Sequence, residues 1–120
     1  MTSRPVFRVR FDDATLDEDL LHVTPRGRAA AIHHRAIVEK DGLRADRLYK
    51  CQEDQHDGTS LGGCVKTRLP WPDGDWGLVL SGQIDDGRVY LQVIAFGERH
   101  PTAHWRPSLY QLAHRRLHGT

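Results

Sequence analysis

The first apolar pattern in the chain has a period of two. Val6-Phe-Arg-Val-Arg-Phe11 alternates apolar side chains with arginine, which predicts a strand with Arg8 and Arg10 on its outer face. Thr15-Leu-Asp-Glu18 fits a capping box ahead of Leu16, Leu20 and Val23, so a short helix with an acidic head is expected next. Thr24-Pro25 opens a second helix, because Thr caps and proline loses no needed hydrogen bond at the first helical position. It should run through Ile32, Ala36 and Ile37 to Lys40 and stop at Gly42. From Leu43 to Lys50 no period stands out, and the stretch from Cys51 to Cys64 has the Gly, Asp and Ser content of a loop.

The second half reads as strands. Val65, Thr67 and Leu69 alternate with Lys66 and Arg68, which predicts a strand ending at Pro70, followed by a turn at WPDGD. Trp76–Ile84 and Arg88–Phe96 flank Asp85-Asp86-Gly87, a strong hairpin signal. Strict alternation puts Val89, Leu91, Val93 and Ala95 on one face and Tyr90, Gln92, Ile94 and Phe96 on the other. Ser108-Leu-Tyr-Gln111 is another capping box, opening a helix with Leu109, Leu112 and Leu117 as its apolar stripe and Gly119 as its stop. The order β-α-α-β-β-β-α segregates helices from strands. It indicates an α+β fold with a small, mostly antiparallel sheet, two N-terminal helices and one C-terminal helix. With 120 residues and no visible linker or repeat, residues 1–120 form a single domain.

Composition adds limits. Hydrophobic residues make up 38% and charged residues 28% of the chain, and no run approaches the roughly 18 apolar residues of a membrane span. The opening MTSRPVFRVRF has no apolar leader core, so a cytoplasmic protein with no membrane contact is expected. A net charge of +1 argues against a uniformly basic nucleic-acid binder, yet the charge is unevenly spread. Asp12 to Asp19 holds five acids and no base, whereas Arg26 to Lys50 holds seven bases against three acids, so a two-faced surface is expected, with the acidic run turned away from any basic site. Fourteen arginines against three lysines suit bidentate phosphate recognition, although a GC-rich codon preference gives the same ratio.

Cys51, His56 and Cys64 supply three soft zinc ligands but lack the paired C-x2-C spacing of structural sites, and a loop with two incidental thiols is the simpler reading. His33 and His34 are helical neighbours about 100° apart and cannot face one ion. Phosphate-loop, dinucleotide and nucleophile-elbow patterns are absent, so no metal and no cofactor is implied. That leaves Arg99, His100, His104, Arg106, Tyr110 and His114, on the loop after the hairpin and on the last helix. Such a set suits metal-free RNA cleavage: one group removes the 2′-hydroxyl proton, a cation stabilises the phosphorane, and an acid protonates the departing 5′-oxygen. For His114, Arg115, Arg116 and His118, solvation of the helix's outer face and a match to its dipole is the stronger reading. Arg99 and His100 leave a core strand, where loops often carry function.

The hairpin W-x(7)-I-D-D-G-R-V-Y-L-x-V-I-A-F-G-E-R, followed by L-Y-x-L-A-x-R-R-L, resembles the RelE/ParE superfamily of bacterial toxin-antitoxin systems. The likeness covers residues 4–118 in element order and residues 76–117 in wording. It implies a toxin neutralised by a cognate antitoxin. RelE-like members are endoribonucleases (mRNA interferases) that cut mRNA on the ribosome, and ParE-like members inhibit DNA gyrase without such catalysis. Carried onto this chain, Lys66 and Arg68 correspond to the phosphate-binding bases, Arg99 to the arginine after the last strand, with His100 beside it as an acid/base, and Tyr110 to the aromatic near the terminus. The catalytic set expected on this likeness is Arg99, His100 and Tyr110, and the nucleic-acid-binding set is Lys66, Arg68, Arg88, His104 and Arg106. One departure is plain: Trp76–Ile84 carries no base where family members often carry arginine.

Overall fold

A computed structural model describes residues 5–51, 61–71, 74–101 and 106–119. In chain order these form β1 (Val6–Arg10), α1 (Asp13–Leu20), α2 (Pro25–Asp41), β2 (Leu43–Arg44), a short 3-10 turn (Ala45–Arg47), β3 (Tyr49–Lys50), β4 (Cys64–Trp71), β5 (Gly74–Asp85), β6 (Arg88–Glu98) and α3 (Leu109–His118). The fold is α+β. The six strands lie in the order β2-β1-β6-β5-β4-β3. β1 and β6 run parallel, and the other four pairings are antiparallel. The sheet is therefore mixed, and its parallel pair joins the first strand to the last.

β2 and β3 fall in the stretch where no element was expected. Two residues are too few to show a period, and both strands exist through their partners: Phe7 faces Leu43, and Tyr49 faces Lys66. The cap of α1 is also corrected. Asp12, not Thr15, accepts from the amides of Ala14 and Thr15, so the helix starts at Asp13. The other two helix caps follow the sequence: Thr24 caps α2 by accepting from the Gly27 amide, and Ser108 and Gln111 close a reciprocal capping box on α3, whereas β4 runs on to Trp71, β5 already begins at Gly74 and β6 extends to Glu98. The hairpin turns at Asp86 (φ 51°) and Gly87 (φ 74°), the paired positive φ values that give a tight turn the twist of its strands.

Helices pack on both faces of the sheet. Leu16 of α1, with Ala31 and Val38 of α2, packs on Val9, Trp76, Leu78, Leu80, Leu91, Val93 and Phe96. On the other face Leu109, Tyr110, Leu112 and Ala113 of α3 pack on Val79, Ala95, Cys51, Leu61 and Cys64. Ala95 thus lies across the sheet from Val93, where strict alternation had them together. The cause is a bulge: Leu80 faces Val93 and Val79 faces Ala95, leaving Ile94 as the extra residue of β6 and reversing every side chain beyond it.

The bulge lies where β6 loses a neighbour. Pairing with β1 ends at Arg10 opposite Gln92, and past that point the edge of β6 is covered by side chains. The Phe96 amide donates to Asp19 Oδ2 at 2.8 Å, and Arg116 Nη1 donates to the Ile94 carbonyl. Arg116 Nη2 donates to Asp19 Oδ1 at 2.6 Å, and Nη1 also reaches Oδ2 at 3.2 Å. Asp19 is fully buried. Burial pushes its carboxyl above the ordinary range, against the downward pull of Arg116 and the Phe96 amide. Arg116 is therefore no solvated tail residue: it lies seven positions, two helical turns, after Leu109 on the buried face of α3. Leu117, expected in the apolar stripe, is one step round and 42% exposed.

Arg116→Met would leave the Asp19 carboxylate buried without its partner, and we expect a loss of about 3–5 kcal/mol in urea unfolding at neutral pH. The sign of its pH dependence follows from burial. Without Arg116 the folded-state pKa of Asp19 lies still further above the unfolded one, so the native state binds the proton more tightly. The deficit should therefore shrink as pH falls from 7 through that raised pKa towards the ordinary carboxylate value. A deficit that stayed constant or grew over this range would refute the clamp.

Candidate functional site

Past the bulge, β6 sends Arg99 to the α3 face, with Ala95. Gly77 and Gly97 are cross-strand partners below the first turn of α3. A Cβ on Gly77 would meet the Thr67 carbonyl at 2.4 Å and the Leu109 side chain at 3.1 Å, and one on Gly97 would lie 3.3 Å from Leu109 Cα. The missing side chains let α3 lie close to the sheet, which brings Tyr110 onto Arg99. Arg99 Nε donates to the Tyr110 hydroxyl at 2.8 Å and Nη1 to Asp75 Oδ2 at 2.7 Å, while the Arg99 amide donates to the Asp75 carbonyl at 2.7 Å.

Arg99 is 9% exposed and Tyr110 5%. Burial lowers the guanidinium's hold on its proton, but the bonds to Tyr110 and Asp75 outweigh it and the net shift is upward, so Arg99 is a permanent cation. Lys66 Nζ lies 5.0 Å from the Tyr110 ring centroid, and the exposed His100 ring lies 6.4 Å from it. Arg68, two residues along β4 from Lys66, stands with Cζ 4.7 Å from the ring of Tyr49. Because Arg99 donates to the Tyr110 oxygen, the phenol's own proton is left to be donated elsewhere. The cluster thus offers a buried guanidinium, a phenol proton, an ammonium and an accessible imidazole around one ring.

The structure brings together Lys66, Arg99, His100 and Tyr110, with Arg68 beside them. Arg88 is separate, at the far end of the hairpin opposite Asp85. Arg106 pairs with Glu98 at 3.3 Å, and both side chains are largely buried. His104 lies outside the described residues. Two members were missed. Asp75, read as part of a turn, is the carboxylate that holds Arg99; Tyr49, in the stretch without a period, carries Arg68. The acidic run lies on α1, across the sheet from this cluster, and its Asp19 is spent on the clamp.

Cys51 and Cys64 are buried free thiols, joined through the Cys51 amide, which donates to the Cys64 carbonyl at 3.1 Å. Among the described residues no three His, Cys, Asp or Glu side chains gather to hold an ion, and His56 lies outside them. No helix among the described residues is long and apolar enough to cross a membrane. Comparison with known protein families, with curated proteins and with solved structures returns no match.

Two outcomes test this geometry. Arg99→Ala should lower stability by about 2–3 kcal/mol, since it strips a buried phenol and a carboxylate of a charged donor, whereas His100→Ala at the exposed position should change it by less than about 0.5 kcal/mol. Thermal and urea unfolding of the two variants compares them. Burial and the neighbouring Cys64 push the Cys51 thiol up to about 11. Iodoacetamide at neutral pH should therefore leave Cys51 largely unmodified in the folded protein and label it readily in urea, read by mass spectrometry.

Proposed function

We propose that this chain is the toxin of a toxin-antitoxin pair and acts as a metal-independent endoribonuclease on ribosome-bound mRNA. The observation that carries the reading is the convergence of Lys66, Arg99, His100 and Tyr110, drawn from β4, the exit of β6 and α3, onto one patch of the sheet. RNA cleavage through the 2′-hydroxyl needs a base, an acid and a cation near the scissile phosphate. In this assignment Lys66 and Arg99 supply positive charge to the phosphorane. His100 takes the 2′-hydroxyl proton, and Tyr110, held through its oxygen by Arg99, donates towards the leaving 5′-oxygen. Arg68 binds a flanking phosphate. A cognate antitoxin would silence the protein by covering this face.

A second reading rests on a specific feature. Trp76–Ile84 carries no base, and Arg99 is already committed to Asp75 and Tyr110. A ParE-like toxin that binds gyrase or another macromolecule without cutting RNA needs no free cation there.

Induced expression in bacteria, with mRNA ends mapped by primer extension, separates the two. The nuclease reading expects growth arrest with new 5′ ends. It also expects cleavage to fall about a hundredfold or more in His100→Ala, at an exposed position, and in Tyr110→Phe, whose urea unfolding is measured alongside because the change leaves Arg99 Nε without its acceptor. Arg99→Ala is the wrong probe, because its structural loss would mimic a catalytic one. Growth arrest without new ends, undiminished in both variants, selects the binding toxin.

A further inference from the structure

Among the described residues, the face of the sheet that carries Tyr110 and Lys66 is only half covered. α3 lies over the end where β4, β5 and β6 run together. The other end, where β1 meets the hairpin, is open among the described residues. Val9 and Leu91 there point into the core beneath α1 and α2. Their strand neighbours Arg8, Arg10 and Tyr90 therefore point the other way, onto the same face as the candidate site. With Arg88, Asp85 and Asp86 they line a groove of about 310 Å³.

The groove is built from three guanidiniums and one ring. Arg10 Cζ lies 4.0 Å from the Tyr90 ring centroid, and its Nη2 donates to Asp85 at 3.3 Å. The guanidinium is thus held against the phenol ring and steered by a carboxylate. Arg8 and Arg88 are exposed and make no ion pair among the described residues. Stacked Arg and aromatic planes accept an unstacked base, and unpaired guanidiniums accept phosphate. Asp85 and Asp86 crowd the hairpin tip with negative charge, so a phosphate would sit towards Arg8. Arg88 and Arg99 are eleven positions apart along β6 and its exit, about 36 Å of extended chain. A polymer on this face would touch both clusters, whereas a single nucleotide would not.

We propose that Arg8, Arg10 and Arg88 around Tyr90 form a second, non-catalytic contact for single-stranded RNA, on the same sheet face as the Arg99–Tyr110 cluster. The choice of RNA rests on the nuclease reading; the phosphate-and-base chemistry rests on the groove alone. The surface would set where along a message the protein settles.

Fluorescence anisotropy tests this with the full chain and a 2′-O-methylated single-stranded RNA, which binds but cannot be cut through its 2′ position. The double variant Arg8→Ala/Arg88→Ala should bind about tenfold more weakly and show a salt slope shallower by about 1.4, the value for two lost contacts at roughly 0.7 each. Asp85→Asn, which frees Arg10, should bind more tightly than the parent, a gain that a folding defect cannot produce. Unchanged affinity and slope in the double variant would overturn the proposal, as would no gain in Asp85→Asn. Failure of the parent to bind, or tighter binding of duplex DNA than of the single strand, would overturn it too. If the parent binds as expected but cuts no unmodified message, the nuclease reading fails and the groove stands. If it cuts and the double variant binds normally, the reverse holds.

Discussion

The ion pair between Asp19 and Arg116 holds together three parts of the chain that are far apart in sequence. An isolated buried carboxylate is strongly unfavourable, and pairing alone seldom recovers the lost hydration. Here the remaining lone pairs and protons are also used: Asp19 accepts from the Phe96 amide as well as from Arg116, and Arg116 donates to the Ile94 carbonyl as well as to Asp19. The two side chains take over part of the role that a neighbouring strand would play along β6, past the point where β1 ends. The pair therefore satisfies backbone groups, ties α1 to α3 across the sheet edge, and does both at the bulge.

That location matters because the bulge decides what β6 presents. Before Ile94, partner numbers on β5 and β6 add to 173, as in Asp85 with Arg88; after it they add to 174, as in Trp76 with Glu98. Continued one step, the second sum sets Asp75 opposite Arg99, and the observed hydrogen bonds between them agree. Were this same chain paired without the bulge, Asp75 would face Glu98, two like charges across the ladder, and Arg99 would turn to the α1 and α2 side. The register shift at the bulge thus places the arginine with its carboxylate and its phenol. The clamp on one edge of the sheet and the cluster on its α3 face form one mechanical unit.

Much of this fold was legible from local chemistry. Thr24-Pro25, Ser108 with Gln111, and Asp86-Gly87 each carry their own hydrogen-bonding or φ requirement, so their elements appear where the residues place them. What was not legible depends on partners. The two-residue strands β2 and β3 have no period of their own. The bulge leaves no mark in an unbroken apolar run such as Val93-Ile-Ala-Phe96. Arg116 looked like a solvated tail residue because its partner lies 97 positions away. Asp75 looked like a turn acid because the register that brings it to Arg99 shifts at Ile94. Of the site, the residue types at Lys66, Arg99, His100 and Tyr110 were readable; their division into held and available groups was not.

That division bears on how the face could work. Arg99 spends two donors on fixed partners and is almost buried, so it acts best as a stationary positive charge and as the hand that orients Tyr110. A preorganised charge of this kind needs no rearrangement when negative charge develops beside it, which is the property electrostatic stabilisation relies on. The exposed His100 and the half-buried Lys66 flank the Tyr110 ring, and Arg8 and Arg88, which make no ion pair among the described residues, lie at the far end of the face. β5 can therefore run through the middle of the sheet without a base and the face still present cations at both ends. On the proposed reading, a long anion would be gripped at both ends of the face and cut at one of them. The net charge of +1 conceals this asymmetry, because much of the acid that balances it lies on α1, behind the sheet.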